Sequence, residues 1–599
     1  MKKLLFLALI GFFFLSGLGA QEKPAAAVDP LKNLQLVEKT VAVPARALTG
    51  FDSITTRDLM NMMAFLSHDL LEGREAGTRG FDIAAAYAQS LFTLWGLKPG
   101  GDLPKAPPAP SRAGPERPAA KPERSFLQEF IMKEALESSA TIVLETAAGP
   151  ARHTRSFAPE VDFVFDSSLS LDMSAPVVFA GYGISEKSAG YDDLAAVDIR
   201  DKVVLILSGA PGKDDPASPL QRKEVKEKYF PAVPSMRHGG GDSTKAAALF
   251  KRGALAVLVV KNDLAAGDIH EDILSQRQVR DEKPILPDVR KKLLIPGSKD
   301  MPWEGRSIVR VSREMADAVL ASAGETVAGL QKKIAARYKP NSFLLKGASL
   351  RLANQVRYGL LKSANVIAFI EGSDPQLKDQ AVIIGGHLDH LGRRGDYIFN
   401  GAEDNASGAC GVLAMARALA LNPEKPRRSV VFCLWTGEEE GLLGSRWYVE
   451  HPLFAMENTV AYLNLDMIAL PWNDAGLKRL TRMLNLKDGD EILKKIKPEK
   501  FLPLSLTAAA PELRSALEEA NRSVGLDILF RETPRDMNRI SGGSDHAPFA
   551  MAGRPWAFLI SGMSDFYHTP GDSMEKFDGT VMERVSRLVY LAAYLLADK

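Results

Sequence analysis

Apolar residues recur along this chain with two different spacings, and each spacing is confined to particular regions. Between residues 55 and 100 they recur at helical intervals in the segments LMNMMAFLSHDL and FDIAAAYAQSLFTLWGL. The segment LEGREAGTRG, which carries glycines and charges, joins the two. This part of the chain is therefore predicted to form two helices and a loop.

Short runs of β-branched residues begin at about Ala175. The segments APVVFAGYGI, DKVVLILSG and GALAVLVV are typical of strands, and the segment KAAALFKRG between the last two is typical of a helix. Residues 262–345 mix polar loops with one helix-like segment, ADAVLASAGETVAGLQKKIAARY. A separate β-rich unit is predicted over residues 166–346, with its end placed near Lys346.

Apolar runs alternate with helical segments after Lys346. The runs SANVIAFIEG, AVIIGGHLDH, SVVFCLWTGEE and VAYLNLDMI are bounded by glycine or polar residues, and the segment SGACGVLAMARALAL is predicted to be helical. This pattern is typical of an α/β fold with a mixed, mostly parallel sheet and helices on both faces. Ligands of such sheets collect at the carboxyl ends of the strands. Three of these runs end in His387, Glu438–Glu439 and Asp466, which we expect to converge.

Length and charge narrow the class of protein. A chain of 599 residues exceeds what one hydrophobic core usually organises, so more than one domain is expected. The 75 Lys and Arg residues balance 74 Asp and Glu residues, so no overall field attracts nucleic acid or an anionic membrane. Residues 103–124 are rich in proline, alanine and basic residues, and are predicted to be a mobile surface loop within an N-terminal region spanning 21–165.

The first residues, MKKLLFLALIGFFFLSGLGAQ, have the pattern of a secretory signal peptide over residues 1–20. We therefore expect export to the periplasm or the extracellular space. The apolar run is short for a membrane span and no second run of spanning length follows, so stable membrane insertion is not expected after cleavage. An uncleaved anchor is the alternative. The two cysteines, Cys410 and Cys433, are expected to be small buried hydrophobic residues, because two are too few for a disulfide scaffold.

Two polar motifs lie at the end of the apolar run AVIIGGHLDH and in the segment that follows it. In GGHLDHLG, His387 and Asp389 leave a strand end on the same face, as a metal-binding imidazole and the carboxylate that orients it would do. The alternative is a polar exposed loop, and His390 is expected to belong to such a loop. In NGAEDNASGACGVL, Asp404 precedes a helix, where it is either an ordinary helix cap or a carboxylate shared by two metal ions.

Three further positions complete the candidate set. Glu438 and Glu439 in LWTGEEEGLLGS face either two cations or solvent at a helix start, and on an extended segment one can bind metal while the other acts as a base. Asp466 interrupts the apolar run YLNLDMIAL, where a carboxylate needs a cation or a full set of donors. His568 lies in a loop before the C-terminal helix, and by itself indicates little.

Taken in this order, the segments HLD, GAEDNASG, GEEEGLLGS, NLDMI and YHTPGDS resemble the co-catalytic dizinc aminopeptidases of the bacterial leucyl aminopeptidase and aminopeptidase Y type. That family also contains glutamate carboxypeptidase and, more distantly, glutaminyl cyclase. LSHDLLEGREAGTRG and SGGSDHAPFAMAGRPWAFL are similar to further stretches of the family. Glu403 and Ala469 depart from its commoner Asp and Gly, at positions that are not ligands.

The resemblance implies an exported zinc metallopeptidase with two Zn²⁺ ions per chain and terminal peptide bonds as its substrate. His387 and Asp466 would hold one zinc, Glu439 and His568 the other, and Asp404 would bridge them. Asp389 would orient His387, Glu438 would be the general base, and the peptide bond from Asp404 to Asn405 would be cis.

The β-rich unit resembles a protease-associated domain inserted into the zinc peptidase domain, which would then resume over residues 347–599. An aminopeptidase is favoured because no arginine is anchored in a motif to receive a substrate α-carboxylate. A carboxypeptidase, a glutaminyl cyclase and a metal-free receptor-like scaffold are the alternatives.

Overall fold

The structure is a computed structural model that describes residues 33–104, 123–148, 151–159, 161–165, 170–222, 225–230, 241–260, 293–294, 307–483, 489–533, 543–562 and 566–599. The predicted signal peptide and residues 105–122 of the proline-rich segment lie outside these ranges. Within them, no helix has both the length and the apolar character needed to cross a membrane.

The strands of the described residues follow one another along the chain as β1 Leu34–Gln35, β2 Lys98–Pro99, β3 Leu127–Ala148, β4 Ala151–Phe157, β5 Phe163–Phe165, β6 Leu171–Phe179, β7 Ser185–Glu186, β8 Tyr191–Asp192, β9 Val203–Leu207, β10 Ala256–Val260, β11 Leu293–Leu294, β12 Ser307–Val311, β13 Phe343–Ile370, β14 Ala381–His387, β15 Gly392–Arg394, β16 Tyr397–Phe399, β17 Ser429–Trp435, β18 Thr459–Leu465, β19 Phe501–Thr507, β20 Asp527–Thr533 and β21 Trp556–Leu559. The helices are α1 Ala45–Ser53, α2 Thr56–Leu66, α3 Arg79–Leu94, α4 Lys226–Tyr229, α5 Asp242–Lys251, α6 Arg313–Leu320, α7 Val327–Ala335, α8 Gly408–Leu421, α9 Leu443–Glu450, α10 Asp474–Met483, α11 Gly489–Lys495, α12 Pro511–Val524, α13 His546–Met551 and α14 Thr580–Asp598.

The sheet that carries the candidate site is mixed and mostly parallel. Across it the strands lie in the order β13, β17, β14, β18, β21, β19, β20. The four strands β17, β14, β18 and β21 are parallel to one another. The strands β13 and β19 meet this parallel block in the antiparallel sense. Every residue of β14 and of β17 is buried, as expected for parallel strands covered on both faces.

Helices pack on both faces of this sheet. One face is covered by a core to which α1, α2, α3, α8, α12 and α14 contribute. On the other face a smaller cluster forms around Trp435, in which Tyr448 of α9 packs against Trp435 and Phe549 of α13 packs against Tyr462 of β18. The predicted α/β architecture is confirmed, and Cys410 and Cys433 are buried, as expected.

The predicted β-rich region has cores of its own. Strands β6, β9, β10 and β12 form a parallel run there, with one apolar cluster on each side of it. The helix-like segment before Lys346 is two helices, α6 and α7, because Gly324 adopts a left-handed conformation with φ 69° between them. Strands β3 and β13 pair over most of their lengths and connect this region to the main sheet. The division of the chain into domains stays a prediction.

Candidate metal centre

The carboxyl ends of three adjacent parallel strands form the floor of the site. His387 is the last residue of β14, Asp466 directly follows β18, and Glu438 and Glu439 lie shortly after β17. Because β14 lies between β17 and β18 in a parallel arrangement, these ends meet at one edge of the sheet. The structure therefore brings His387, Glu438–Glu439 and Asp466 together at this edge, as predicted.

Asp404 reaches the same edge from a turn that precedes α8. The peptide bond from Asp404 to Asn405 is cis, as the resemblance implied. The Asn405 side chain fixes this turn, because its Nδ2 donates to Leu465 O (3.0 Å) and its Oδ1 accepts from Met467 N (3.2 Å). From the other side, the carboxylate of Asp572 accepts the backbone N–H of Asp404 at 3.1 Å.

One group of side chains surrounds the imidazole of His387. Its Nε2 lies 3.1 Å from Asp404 Oδ1 and 3.5 Å from Asp466 Oδ1. Its Nδ1 lies 3.0 Å from the backbone carbonyl of Asp389 and 3.8 Å from the Asp389 carboxylate. The nearest group that orients this ring is thus the carbonyl of Asp389.

The Asp389 carboxylate has a second set of contacts that the sequence did not indicate. Its two oxygens accept the backbone N–H groups of Glu438 (3.3 Å) and Glu439 (3.4 Å). The side chain is fully buried. Asp389 therefore ties the segment after β17 to the end of β14.

A second group of side chains surrounds Glu439. His568 Nε2 lies 3.3 Å from Glu439 Oε2 and 2.9 Å from Asp404 Oδ2. His390 Nδ1 lies 2.7 Å from Glu439 Oε1. Asp404 thus has one oxygen near His387 and the other near His568, between the two groups.

The expectation that His390 belongs to an exposed loop is wrong, because the residue is fully buried. Its backbone N–H donates to the carbonyl of Arg74 at 3.2 Å. Its ring lies directly against Gly401, where an added Cβ would come within 2.4 Å of the His390 Cγ. The segment after β14 is therefore buried against the turn that carries Asp404.

Neighbouring carboxyl groups in this site have opposite pKa shifts. Burial, together with Glu439, Asp466 and Asp545, raises the pKa of Glu438 well above its usual range, although His387 opposes the shift. Burial also acts to raise the pKa of Glu439, but the nearby imidazoles of His568 and His390 outweigh it and hold that pKa well below its usual range.

The same carboxylates shift the pKa values of the imidazoles of His568 and His387. Burial acts to lower the pKa of His568, but the carboxylates of Glu439 and Asp404 outweigh it and raise the pKa to about 10. The pKa of His387 is raised well above its usual range for a similar reason, because Glu438, Asp404 and Asp466 outweigh its burial. These carboxylates therefore favour the protonated form of both imidazoles.

More buried carboxyl groups surround the site than the motifs indicated. Asp545 is fully buried, its Oδ1 accepts from Ser445 Oγ at 2.5 Å, and burial raises its pKa to about 7. Glu403 accepts the backbone N–H groups of Ala469 and Leu470, each at 3.3 Å, and burial raises its pKa well above the usual range. Both lie in quoted segments, SGGSDHAPFAMAGRPWAFL and GAEDNASG, yet nothing in their spacing distinguished them from surface residues.

Two sets of donor atoms at this edge fit metal ions. His387, Asp404 and Asp466 form one set, and His390, Asp404 and Glu439 form another, each with donor atoms within 4.8 Å of one another. Among the described residues, His387 Nε2 and Asp466 Oδ1 have no hydrogen-bond partner although both atoms are buried. Imidazole nitrogens and carboxylate oxygens are ligands that zinc accepts, so a cation would satisfy these atoms.

Parts of this chain are similar to known peptidases. The model of peptidase family M28 matches residues 365–593. Aminopeptidase NAALADL1 of Mus musculus is 34% identical over 145 residues, which are 23% of this chain and 18% of the mouse protein. A probable glutamate carboxypeptidase of Arthroderma benhamiae is 35% identical over 125 residues, 20% of this chain and 16% of the fungal protein. This chain thus spans less than a fifth of either relative's length.

Among solved structures, an aminopeptidase from Aneurinibacillus sp. strain AM-1 aligns with a TM-score of 0.46 and 18% sequence identity, covering 92% of this chain and 96% of that chain. The region that matches the family model begins within β13 and ends within α14, and it contains every residue of the two donor sets. Residues 365–593 of this chain are therefore similar to peptidase family M28.

Proposed function

We propose that this protein is an exported zinc metallo-exopeptidase with two Zn²⁺ ions per chain, which releases N-terminal residues from peptides. The observation that carries the proposal is the two-sided environment of Asp404. One of its oxygens faces His387 at 3.1 Å and the other faces His568 at 2.9 Å. A carboxylate in this position suits two neighbouring cations, whose mutual repulsion it reduces.

The proposed ligands divide into two groups around Asp404. His387 and Asp466 hold one zinc, Glu439 and His568 hold the other, and Asp404 is shared. Bound in this way, two zinc ions supply Lewis acidity that polarises a carbonyl and lowers the pKa of a water molecule. The buried carboxyl groups around them favour cations over any anionic ligand.

Glu438 is the proposed general base. Its side chain is 14% exposed, whereas that of Glu439 is 2% exposed, so Glu438 is the one that faces a substrate. Its carboxylate takes the proton of the attacking water and passes it to the leaving amine.

An N-terminal preference follows from the charge of the site. A carboxypeptidase needs a cationic side chain for the substrate α-carboxylate, whereas Arg74, an arginine of the described residues that lies near these ligands, is fully buried. Its guanidinium donates to backbone carbonyls, including those of Leu388 (2.9 Å) and Gly401 (3.0 Å). The acidic surroundings instead suit the α-ammonium group of a peptide.

Matched substrates test this function. We expect hydrolysis of aminoacyl anilides and of peptides with a free N-terminus, loss of activity in a chelator, and recovery on adding zinc. N-acetylated versions of the same compounds should be inert. Cleavage of N-acetylated peptides at the C-terminus would indicate a carboxypeptidase, cyclisation of an N-terminal glutamine would indicate a cyclase, and no turnover of any compound would indicate a scaffold.

The β-rich region is proposed to be an inserted protease-associated domain over residues 166–346 that limits the size of the substrate. Its core also includes residues that precede 166, such as Ile142, Leu144 and Phe157. Deletion of the insert tests this role, because the shortened enzyme should accept longer peptides than the full chain does. Export is proposed from the segment 1–20, and a mature N-terminus at Gln21 would support it.

A further inference from the structure

We propose that His390 is a positioning residue for the second metal position: its Nδ1–H donates to Glu439 Oε1 and thereby directs Glu439 Oε2 at the metal. The inference rests on the proposed zinc function, and it adds a residue outside the ligand set given above. His390 is buried, and it touches Glu439 within the same cluster that contains Asp404.

The distances favour a role for His390 as a hydrogen-bond donor over a role as a metal ligand. Ligand atoms about 2.0–2.1 Å from a tetrahedral zinc lie roughly 3.3 Å apart. His390 Nδ1 is 2.7 Å from Glu439 Oε1, which is shorter than that separation, and 3.8 Å from Asp404 Oδ2, which is longer. A nitrogen-to-oxygen distance of 2.7 Å is instead typical of a charge-assisted hydrogen bond.

The two oxygens of Glu439 have different neighbours. Oε1 faces His390, whereas Oε2 lies 3.3 Å from His568 Nε2, on the side that Asp404 also faces. A free glutamate would rotate about its terminal torsion and exchange these oxygens. A donor on one side fixes which oxygen points to the metal, as hydrogen bonds to ligating carboxylates do at other metal sites.

The imidazole of His390 is held so that it can serve as such a support. The backbone N–H of His390 donates to Arg74 O, and the ring packs against Gly401. The His568 ring lies 5.7 Å away at an interplanar angle of 64°, so the two imidazoles approach Glu439 from different directions. With no room to swing away, the His390 ring keeps its Nδ1 beside Glu439.

Two substitutions of His390 separate hydrogen bonding from packing. His390→Phe fills a similar volume without a donor, and His390→Asn places an amide N–H near the position of Nδ1. Zinc binding to each full-length variant is measured by competition with a chromophoric chelator, since support residues of this kind change metal affinity about 10–100-fold. Cobalt-loaded protein gives a second readout, because its visible absorption reports the ligands around the metal.

The expected result is that His390→Phe lowers the zinc affinity of the position held by Glu439 and His568 about 10–100-fold and leaves the affinity of the other position unchanged. The variant His390→Asn should recover most of the lost affinity. The cobalt spectrum should keep the coordination of the wild type. Equal losses in both variants would indicate packing alone, and a cobalt spectrum that lacks one nitrogen ligand would indicate direct coordination. Unchanged affinity in His390→Phe would also overturn the proposal. Wild-type protein that binds no zinc would refute the metal function itself.

Discussion

Glu438 and Glu439 are adjacent in the chain, yet their carboxyl groups face different partners. Glu438 Oε2 lies 4.0 Å from His387 Nε2, whereas Glu439 Oε2 lies 3.3 Å from His568 Nε2. The pKa of the first is raised and that of the second is lowered. Because the segment after β17 is not helical at this point, neighbouring side chains diverge, and Glu438 lies outside the proposed ligand set while Glu439 belongs to it.

Glutamine at each of these positions should therefore have a different effect. Glu438→Gln keeps the shape of the side chain but cannot accept a proton, so kcat should fall by at least about 100-fold with zinc content unchanged. Glu439→Gln should lower zinc content itself, because it removes a charged ligand. Zinc analysis and steady-state kinetics on the same preparations distinguish the two. A Glu438→Gln variant with near wild-type kcat would refute the assignment of the base.

Asp389 should support both the ring of His387 and the segment that carries the two glutamates. Asp389→Asn keeps one oxygen for the N–H groups of Glu438 and Glu439 and loses the other. We expect zinc affinity or kcat/KM to fall about 10–100-fold, with a larger loss in Asp389→Ala. Calorimetric titration with zinc and steady-state kinetics measure both quantities. Wild-type behaviour of the alanine variant would show that the backbone carbonyl of Asp389 is sufficient.

Zinc binding should release protons. The pKa of His568 is raised to about 10, so this imidazole is charged at pH 7.5 in metal-free protein, and the pKa of His387 is raised in the same direction. A zinc ion displaces these protons, hence the apparent affinity should rise with pH between 7 and about 10. Titration calorimetry in buffers of different ionisation enthalpy should show that protons are released as zinc binds. Heats that do not depend on the buffer would contradict this account.

A buried carboxyl group in the β-rich region predicts a separate dependence on pH. Asp193 Oδ2 accepts the backbone N–H groups of Tyr182 (3.0 Å) and Ile184 (3.1 Å), and burial raises the pKa of Asp193 to about 7. The folded state thus binds a proton that the unfolded chain loses near pH 4, and stability falls as the pH rises from about 4 to about 7.

The isosteric variant Asp193→Asn should remove that part of the dependence. Above pH 7 it should be more stable than the wild type by at most about 4 kcal/mol, from a shift of about three pKa units. Near pH 4 the two proteins should be similar. Differential scanning calorimetry at both pH values measures the difference in Tm. A gap between the two proteins that is constant from pH 4 to pH 8 would refute the role of Asp193.

The extent to which the sequence predicted this site depended on where each residue lies. His387 ends β14 and Asp466 directly follows β18, two parallel strands that are almost entirely buried, so the apolar pattern itself placed both residues at one edge. His390 could not be placed in the same way, because its ring packs against Gly401. Gly401 belongs to a different segment of the sequence, and the apolar pattern around His390 does not reveal this contact. The same holds for Asp572, whose carboxylate holds the turn of Asp404 from 168 residues further along the chain.

The fold was predicted best for elements whose formation depends on residues close to one another in the sequence. Helices α2, α3, α8 and α14 and the parallel strands follow from the spacing of their apolar residues. Strand β3 was missed, because its 22 residues alternate weakly and it is stabilised by pairing with β13. Such long-range pairing depends on a partner more than 200 residues away, which a local pattern does not reveal.

The most direct test of the two-zinc site is the zinc content of purified full-length protein, determined together with its aminopeptidase activity before and after Asp404→Ala. We predict two tightly bound zinc ions per chain in the wild type, and loss of metal and activity together in the variant, because Asp404 contacts both His387 and His568. An active wild type that binds no zinc, or an Asp404→Ala variant that keeps both ions and full activity, would contradict the account.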